Sequence, residues 1–387
     1  MSVQIGKIKD ISIKVHFTLI VVFFLVAWTL STNFMPFYLP NLSTFQYWIM
    51  GIIGAFILII SVLIHELSHS IVAKKYGIEV KQIVLFIFGG VSDIEEEPVD
   101  FKKEFKMAFA GPAISFFLSG IFAFLWFITS LSSSDYKINS QYLGILLTAK
   151  GIFYYSTILN LILGFFNLIP AFPMDGGRIL RSILVRKNKD RDKSTRIAVR
   201  VGIIISYIFF GIGIISILSG DFLSGIWILL IGWFLQNGAH TYLSQYDIMK
   251  VLSEIKLKDI MTTNVISVPG NTTVEYLLKN YFSVFMKSAF PVINEEGQLI
   301  GLITLKDATS TPQINRADKL VQKLMINLNN EITMDLTDTA DNALTRMIKK
   351  KLDKIFICDH DFKPLGVVSK TDIMESIDER KKYCKSV

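Results

Sequence analysis

Six long runs almost free of charge restrict this chain more than any other feature. They occupy residues 15–30, 48–72, 107–131, 142–168, 198–218 and 223–242. Most reach the roughly 20 apolar residues that a bilayer core requires, and the first must borrow length from its flanks. Soluble domains have no use for so many nearly uncharged runs. The composition agrees: 51% of the 387 residues are hydrophobic and only 19% are charged, where an ordinary soluble domain carries about 25% charged residues.

The charges that remain fall in a pattern. Lys7, Lys9 and Lys14 precede the first run; Lys74, Lys75, Lys81, Lys102, Lys103 and Lys106 follow the second. Arg178, Arg181, Arg186, Lys187, Lys189, Arg191 and Lys193 lie between the fourth and fifth. The alternate connections are nearly bare, with Lys137 the one cation after the third run. Cytoplasmic loops retain Lys and Arg, so the expected protein is a multi-pass cell-membrane protein with both termini in the cytoplasm. No cleavable leader is expected at its polar N-terminus. The net charge of +7 then belongs to loop topology, and no nucleic-acid partner is expected. The two cysteines, Cys358 and Cys384, sit in the C-terminal part without metal-site spacing, so free reduced thiols are expected.

Inside the second run stands His65-Glu66-Leu67-Ser68-His69. On a helix, His65 and His69 share one face one turn apart, and both imidazoles can reach one metal. Glu66 beside them is placed to act as a general base. Ionisable groups are costly at membrane depth, which sets structural polar packing behind a functional reading. A catalytic zinc site takes a third protein ligand. Asp175, in Asn167-Leu-Ile-Pro170-Ala-Phe-Pro173-Met-Asp175-Gly-Gly, is the candidate. Pro170 and Pro173 break the helix there, and irregular backbone at this depth must be buried or line a wet cavity. The alternative is a loop exit in which Asp175 caps the following helix.

Together these motifs resemble the site-2 protease family of intramembrane zinc metalloproteases. The resemblance implies one zinc ion held by His65, His69 and Asp175, with Glu66 as general base and Asn167 as an oxyanion donor. The family usually has Gly where this chain has Ser68. It also has a re-entrant β-loop ending in Gly-Gly after the HExxH helix. Here Gln82–Ser92, with Gly89 and Gly90, fits that pattern; a strand edge could hold an unwound substrate by β-augmentation. A plain surface hairpin is the alternative. Glu95-Glu96-Glu97 is read as a solvated loop. Ala108, Ala110, Gly111 and Pro112 are expected to let the third span pack closely on the catalytic helix, and the aromatic residues of 34–48 to form an outer belt. The family often has a His near His16, for which packing is the default; His240 and His360 are assigned no role.

Beyond Tyr242 the charges balance and short apolar strands alternate with helices. Phe290–Asp307 repeats as Ile355–Asp372, at an offset of 65 residues. The duplication resembles a tandem pair of cystathionine-β-synthase (CBS) domains. That likeness implies adenine nucleotide, ATP or AMP, as a regulatory ligand, with Thr304 and Ser369 on phosphate and Asp307 and Asp372 on ribose hydroxyls. Phe356 replaces Pro291 in the second repeat, so the two sites need not be equivalent. The alternative is a dimerisation module in which these residues merely cap helices.

The expected architecture is a polytopic α-helical membrane protein of about six transmembrane helices with a short re-entrant β-loop, plus a cytoplasmic α/β tandem CBS module. Expected boundaries are 1–243 for the membrane protease domain, 244–254 for a linker, 255–312 and 313–377 for the CBS domains, and 378–387 for a basic tail. The expected function is zinc-dependent cleavage of transmembrane protein substrates within the bilayer, modulated by adenine nucleotide, with homo-oligomers forming through the CBS pair. The rivals are a non-cleaving membrane nucleotide sensor or scaffold, and a metal-ion carrier using the same His/Asp cluster. Neither rival needs the general base Glu66.

Overall fold

The computed structural model describes residues 2–87, 89–94, 100–132, 140–327, 333–350 and 352–386. Glu95-Glu96-Glu97, Phe88 and Lys137 lie outside the described residues. The chain divides into two compact units, Met1–Leu243 and Ser244–Val387.

In the first unit, β1 (Ser2–Ile8) and β2 (Ile11–His16) form an antiparallel hairpin. Six helices follow that are long and apolar enough to cross a membrane: α1 (Thr18–Tyr38), α2 (Thr44–Lys75), α3 (Phe101–Ser132), α4 (Ser140–Asn167), α6 (Arg191–Leu218) and α7 (Phe222–Ser253). A shorter helix, α5 (Asp175–Asn188), lies between α4 and α6. Their outer faces carry exposed Phe24, Trp28, Phe124, Ile215, Leu223 and Trp227. Water would not tolerate an apolar surface of this extent; lipid requires it. Their inner faces carry small or polar residues instead, with Ser61, Ser115, Ser119, Ser156 and Asn160 buried, as close helix packing in a bilayer demands. This is a multi-pass membrane protein.

Two expectations of length change. The first span continues past residue 30 through a π-helical turn over Leu30–Phe34 and on to Tyr38, which supplies the length that 15–30 lacked. The last span does not stop near residue 242. Helix α7 runs to Ser253, so most of 244–254 is helical.

Helix α2 is capped by Ser43, whose hydroxyl accepts from Gln46 N–H in a capping box. It is followed by β3 (Val80–Phe86) and β4 (Gly89–Ile94). The hairpin they form is half of a four-stranded sheet, in the order β1-β2-β3-β4, with β2 and β3 parallel. The N-terminal segment, expected only as a polar lead-in, therefore supplies the other half. Ile11, Val80, Ile83 and Leu85 of this sheet pack on Ala73 of α2 and Met107 of α3.

A second difference concerns Arg181. The expectation grouped it with the cytoplasmic loop cations. It is fully buried and paired with Glu104 of α3, which is also buried. The cationic count between spans four and five thus includes one residue that faces protein and not water.

The second unit holds the duplication. One sheet has the order β5-β6-β7-β8, with β6 (Ala289–Ile293) paired to β7 (Leu299–Thr304). Here β5 is Val268–Pro269 and β8 is Ile326–Asn327. The other has the order β11-β10-β9, with β10 (Lys354–Cys358) paired to β11 (Pro364–Ser369) and to β9 (Thr333–Met334). Leu299 and Leu302 from one repeat share a buried cluster with Phe356 and Cys358 from the other. The end of α7 also belongs here, with Leu252 buried beside Ile355 and Ile373.

Candidate metal centre

His65 and His69 sit one turn apart on α2 and are both buried. Their Nε2 atoms lie 3.2 and 3.0 Å from Asp175 Oδ2. One ligand atom from each of these three residues lies within 4.8 Å of the others. Asp175 is the first residue of α5. The Pro170–Pro173 stretch ends the preceding helix and turns the chain so that the carboxylate stands at a helix N-terminus, where a negative charge is favoured.

The far side of each imidazole is also engaged. His69 Nδ1 is 2.7 Å from the Met107 carbonyl, which can only accept, so Nδ1 carries the proton and Nε2 is left as the donor atom. His65 Nδ1 pairs with Ser115 Oγ at 2.8 Å. Both partners lie on α3. Gly111 of the same helix backs the centre: a Cβ there would lie 2.2 Å from His69 Nε2 and 2.5 Å from His65 Nε2. Only glycine leaves the space in front of the nitrogens open, a more specific role than the close helix packing expected of it.

These features fit zinc. Two imidazole nitrogens and one carboxylate oxygen form a known catalytic zinc donor set. Partners on the outer nitrogens are what hold metal-binding histidines in orientation.

Glu66 lies half-buried beside this cluster and accepts a hydrogen bond from Ser92 Oγ, 2.9 Å from Oε2. Ser92 belongs to β4, and Gly90 of the same strand packs on the Glu66 stem, where a Cβ would come 2.4 Å from Cγ. Gly89 has φ +127°, a conformation suited to glycine. Both glycines of the motif thus lie on the outer strand of the sheet, with Gly90 against the Glu66 side chain. Asn167 ends α4 half-buried, and its Nδ2 donates to Leu163 O at 3.0 Å within its own helix. The structure does not give Asn167 a hydrogen bond to the three-residue cluster.

Ser92 and Ser115 were not legible as site residues. A serine in an apolar run carries no pattern until its partner is known. Asn160 is also buried, with its Nδ2 on Ser61 Oγ at 3.1 Å; Ser61 lies one turn before His65 on α2.

In the second unit the expected nucleotide residues occupy helix caps. Thr304 Oγ1 accepts from Asp307 N, and Asp307 Oδ2 accepts from Thr304 N–H, 3.3 Å away. Ser369 and Asp372 repeat the arrangement, with Ser369 N–H donating to Asp372 Oδ2 at 2.7 Å. The two repeats then differ. Ser369 and Asp372 line a cavity of ≈ 300 Å³ with Lys287, Lys354, Phe356 and Val367; Thr304 and Asp307 do not line it.

Comparison with known proteins gives the class that this fold and site define. The model of peptidase family M50 matches residues 53–209, and the CBS domain model matches residues 257–311 and 321–379. A zinc metalloprotease of Methanocaldococcus jannaschii is 32% identical over 97% of this chain and 96% of its own length. A Mycobacterium tuberculosis protein named as zinc metalloprotease Rip3 is 27% identical over 97% and 93%. The solved site-2 protease from Methanocaldococcus jannaschii is 32% identical, covering 62% of this chain and 94% of that one, with a TM-score of 0.38. The chain belongs to the site-2 protease family of zinc metalloproteases, peptidase family M50, and carries a C-terminal CBS pair.

Proposed function

We propose that this protein cleaves transmembrane segments of membrane-anchored proteins, with His65, His69 and Asp175 holding one zinc ion and Glu66 moving the proton. The observation that carries this is the placement of Glu66 beside the His65–His69–Asp175 cluster, with its carboxylate held by Ser92. Bound there, zinc supplies Lewis-acid polarisation of water and of a peptide carbonyl. Glu66 Oε accepts a proton from the attacking water and returns it to the leaving amine nitrogen. The Ser92 hydroxyl fixes which carboxylate oxygen remains free for this exchange. Asn167 would serve as oxyanion donor after exchanging its Leu163 hydrogen bond for the substrate.

A helical substrate hides its carbonyls in its own hydrogen bonds, so it must unwind before attack. Strand β4 has one ladder partner, β3, among the described residues. Its other edge, at Gly89 and Gly90, is where an unwound segment would add as a fifth strand. The same reading places both termini in the cytoplasm, from the loop cations, and takes 1–243 as the protease domain. The CBS repeats, 255–312 and 313–377, would bind adenine nucleotide through Ser369 and Asp372 more tightly than through Thr304 and Asp307. The former pair lines a cavity, and Lys287 and Lys354 bring positive charge for phosphate to it.

The test is cleavage of a transmembrane peptide by the purified protein in detergent, with and without a zinc chelator, beside Glu66→Gln. Activity that survives both treatments refutes the zinc mechanism. Adding ATP or AMP to the same assay, with Asp372→Ala as control, tests the CBS pair. A rate and a nucleotide affinity that both stay unchanged refute the regulatory reading.

A further inference from the structure

The buried ion pair of the membrane unit has no place in the chemistry above. Arg181 is 0% exposed and Glu104 is 1% exposed. Arg181 Nε donates to Glu104 Oε1 at 2.6 Å, and a second guanidinium nitrogen contacts the same oxygen. Another guanidinium nitrogen donates to the Tyr242 hydroxyl. The guanidinium carbon lies 5.5 Å from the ring centres of both Phe172 and Tyr242, and those rings stack 3.9 Å apart at 9°. Four segments of chain therefore meet at one cation.

Stability alone is a poor reason for such a pair. Desolvating two charges consumes most of their attraction, and well-packed apolar residues commonly do as well or better. What the pair offers is direction, since a planar guanidinium fork fixes its partners in angle and distance. Its attachment points matter for that reason. Phe172 lies three residues before Asp175, and Arg181 lies six residues after it on α5. Glu104 lies one turn before Met107, whose carbonyl orients His69. Asp175 itself emerges from an irregular, proline-containing loop that cannot set its position to the few tenths of an ångström a metal site needs.

We propose that the Arg181–Glu104 pair is a positioning device for the metal ligand Asp175. It locks α5 to α3, so that the carboxylate and the two imidazoles meet at a fixed spacing. The proposal rests on His65, His69 and Asp175 being the metal ligands, and Asp175→Ala tests that reading separately. If Asp175→Ala keeps the parent's zinc affinity, the ligand assignment fails whatever the pair does.

The decisive variant replaces both charges, Arg181→Met with Glu104→Met, so that neither ion is left alone. The full-length protein in detergent is stripped of metal. Its melting temperature, its Zn²⁺ affinity by competition with a chromophoric chelator, and its Co²⁺ absorption spectrum are then measured. The apoprotein is expected to melt within a few degrees of the parent. Its Zn²⁺ affinity is expected to fall about 10–100-fold, as for other residues that orient metal ligands, and its Co²⁺ bands to shift or weaken. On a transmembrane peptide kcat falls while KM holds. Arg181→Lys keeps the charge and loses the fork, and is expected to lose about tenfold in Zn²⁺ affinity. A double variant with Zn²⁺ affinity within about threefold of the parent and an unchanged Co²⁺ spectrum overturns the proposal. Should the double variant not fold, Arg181→Lys decides by the same two measurements.

Discussion

Replacing Gly111 with alanine should empty the metal centre while leaving the helix that carries it intact. The added Cβ would stand 2.2 Å from His69 Nε2 and 2.5 Å from His65 Nε2, where ordinary contact begins near 3.4 Å. Relief therefore needs displacements of roughly 1 Å, several times the ~0.2 Å that metal–ligand distances tolerate. Both moving atoms are the proposed donors themselves. Changes that merely disturb the partners of metal ligands cost about 10–100-fold in affinity, so at least ~100-fold is expected here, about 2.7 kcal/mol. Stability should change far less. Alanine improves helix propensity by ~1 kcal/mol, against an overpacking cost of ~1–3 kcal/mol. Gly120 of the same helix is the matched control, because a Cβ there meets no heavy atom within 4 Å. The assay is Zn²⁺ affinity by chelator competition on metal-stripped protein in detergent, with a thermal melt of each apoprotein. If Gly111→Ala binds Zn²⁺ within about threefold of Gly120→Ala, the proposed donor geometry is wrong.

Three further outcomes follow from the same contacts. Gly90→Ala would place a Cβ 2.4 Å from Glu66 Cγ; kcat should fall at least ~10-fold while Zn²⁺ affinity holds, read from peptide cleavage and chelator competition. Ser115→Ala removes the partner of His65 Nδ1, and Zn²⁺ affinity should drop about 10–100-fold in the same competition assay. Burial, aided by Asp359 and Asp335, pushes the Cys358 thiol up to about 11. In a Cys384→Ser background its alkylation by iodoacetamide at pH 8 should run roughly two orders of magnitude slower than that of an ordinary thiol. It should accelerate as the pH climbs toward 11, whereas a flat profile between pH 8 and 10 contradicts the shift. The sign for stability is the reverse: the buried neutral thiol favours the fold below about pH 9, and that contribution is lost as the pH rises through 11.

Much of the membrane unit was legible because hydrocarbon makes charge rare. His65, Glu66 and His69 stand out in a run where every other residue is uncharged, and a one-turn spacing already says that two imidazoles share a face. The CBS duplication was legible for a different reason. Gly301 and Gly366, with the strands around them, recur at one offset, and the paired strands β6–β7 and β10–β11 keep it. The parts that stayed hidden depend on contacts far apart in sequence. β2 pairs with β3 across some seventy residues, and nothing in Ile11–His16 announces a parallel partner. Arg181 reads as one more loop cation until Glu104, 77 residues earlier, is seen beside it. Ser92 and Ser115 become informative only once each is found against a particular carboxylate or imidazole.

Among the described residues, the edge of β4 away from β3 has no ladder partner. In lipid every unpaired N–H and C=O costs several kcal/mol, so an unpartnered strand edge cannot rest against hydrocarbon. Among the described residues, β4 pairs on one side only, and its Ser92 touches the Glu66 carboxylate. When no peptide fills that edge, water must. On the proposed reading, water solvating this edge would stand beside Glu66. On the same reading, the molecules solvating its backbone would be the local supply for hydrolysis, and a substrate strand arriving there would displace most of them.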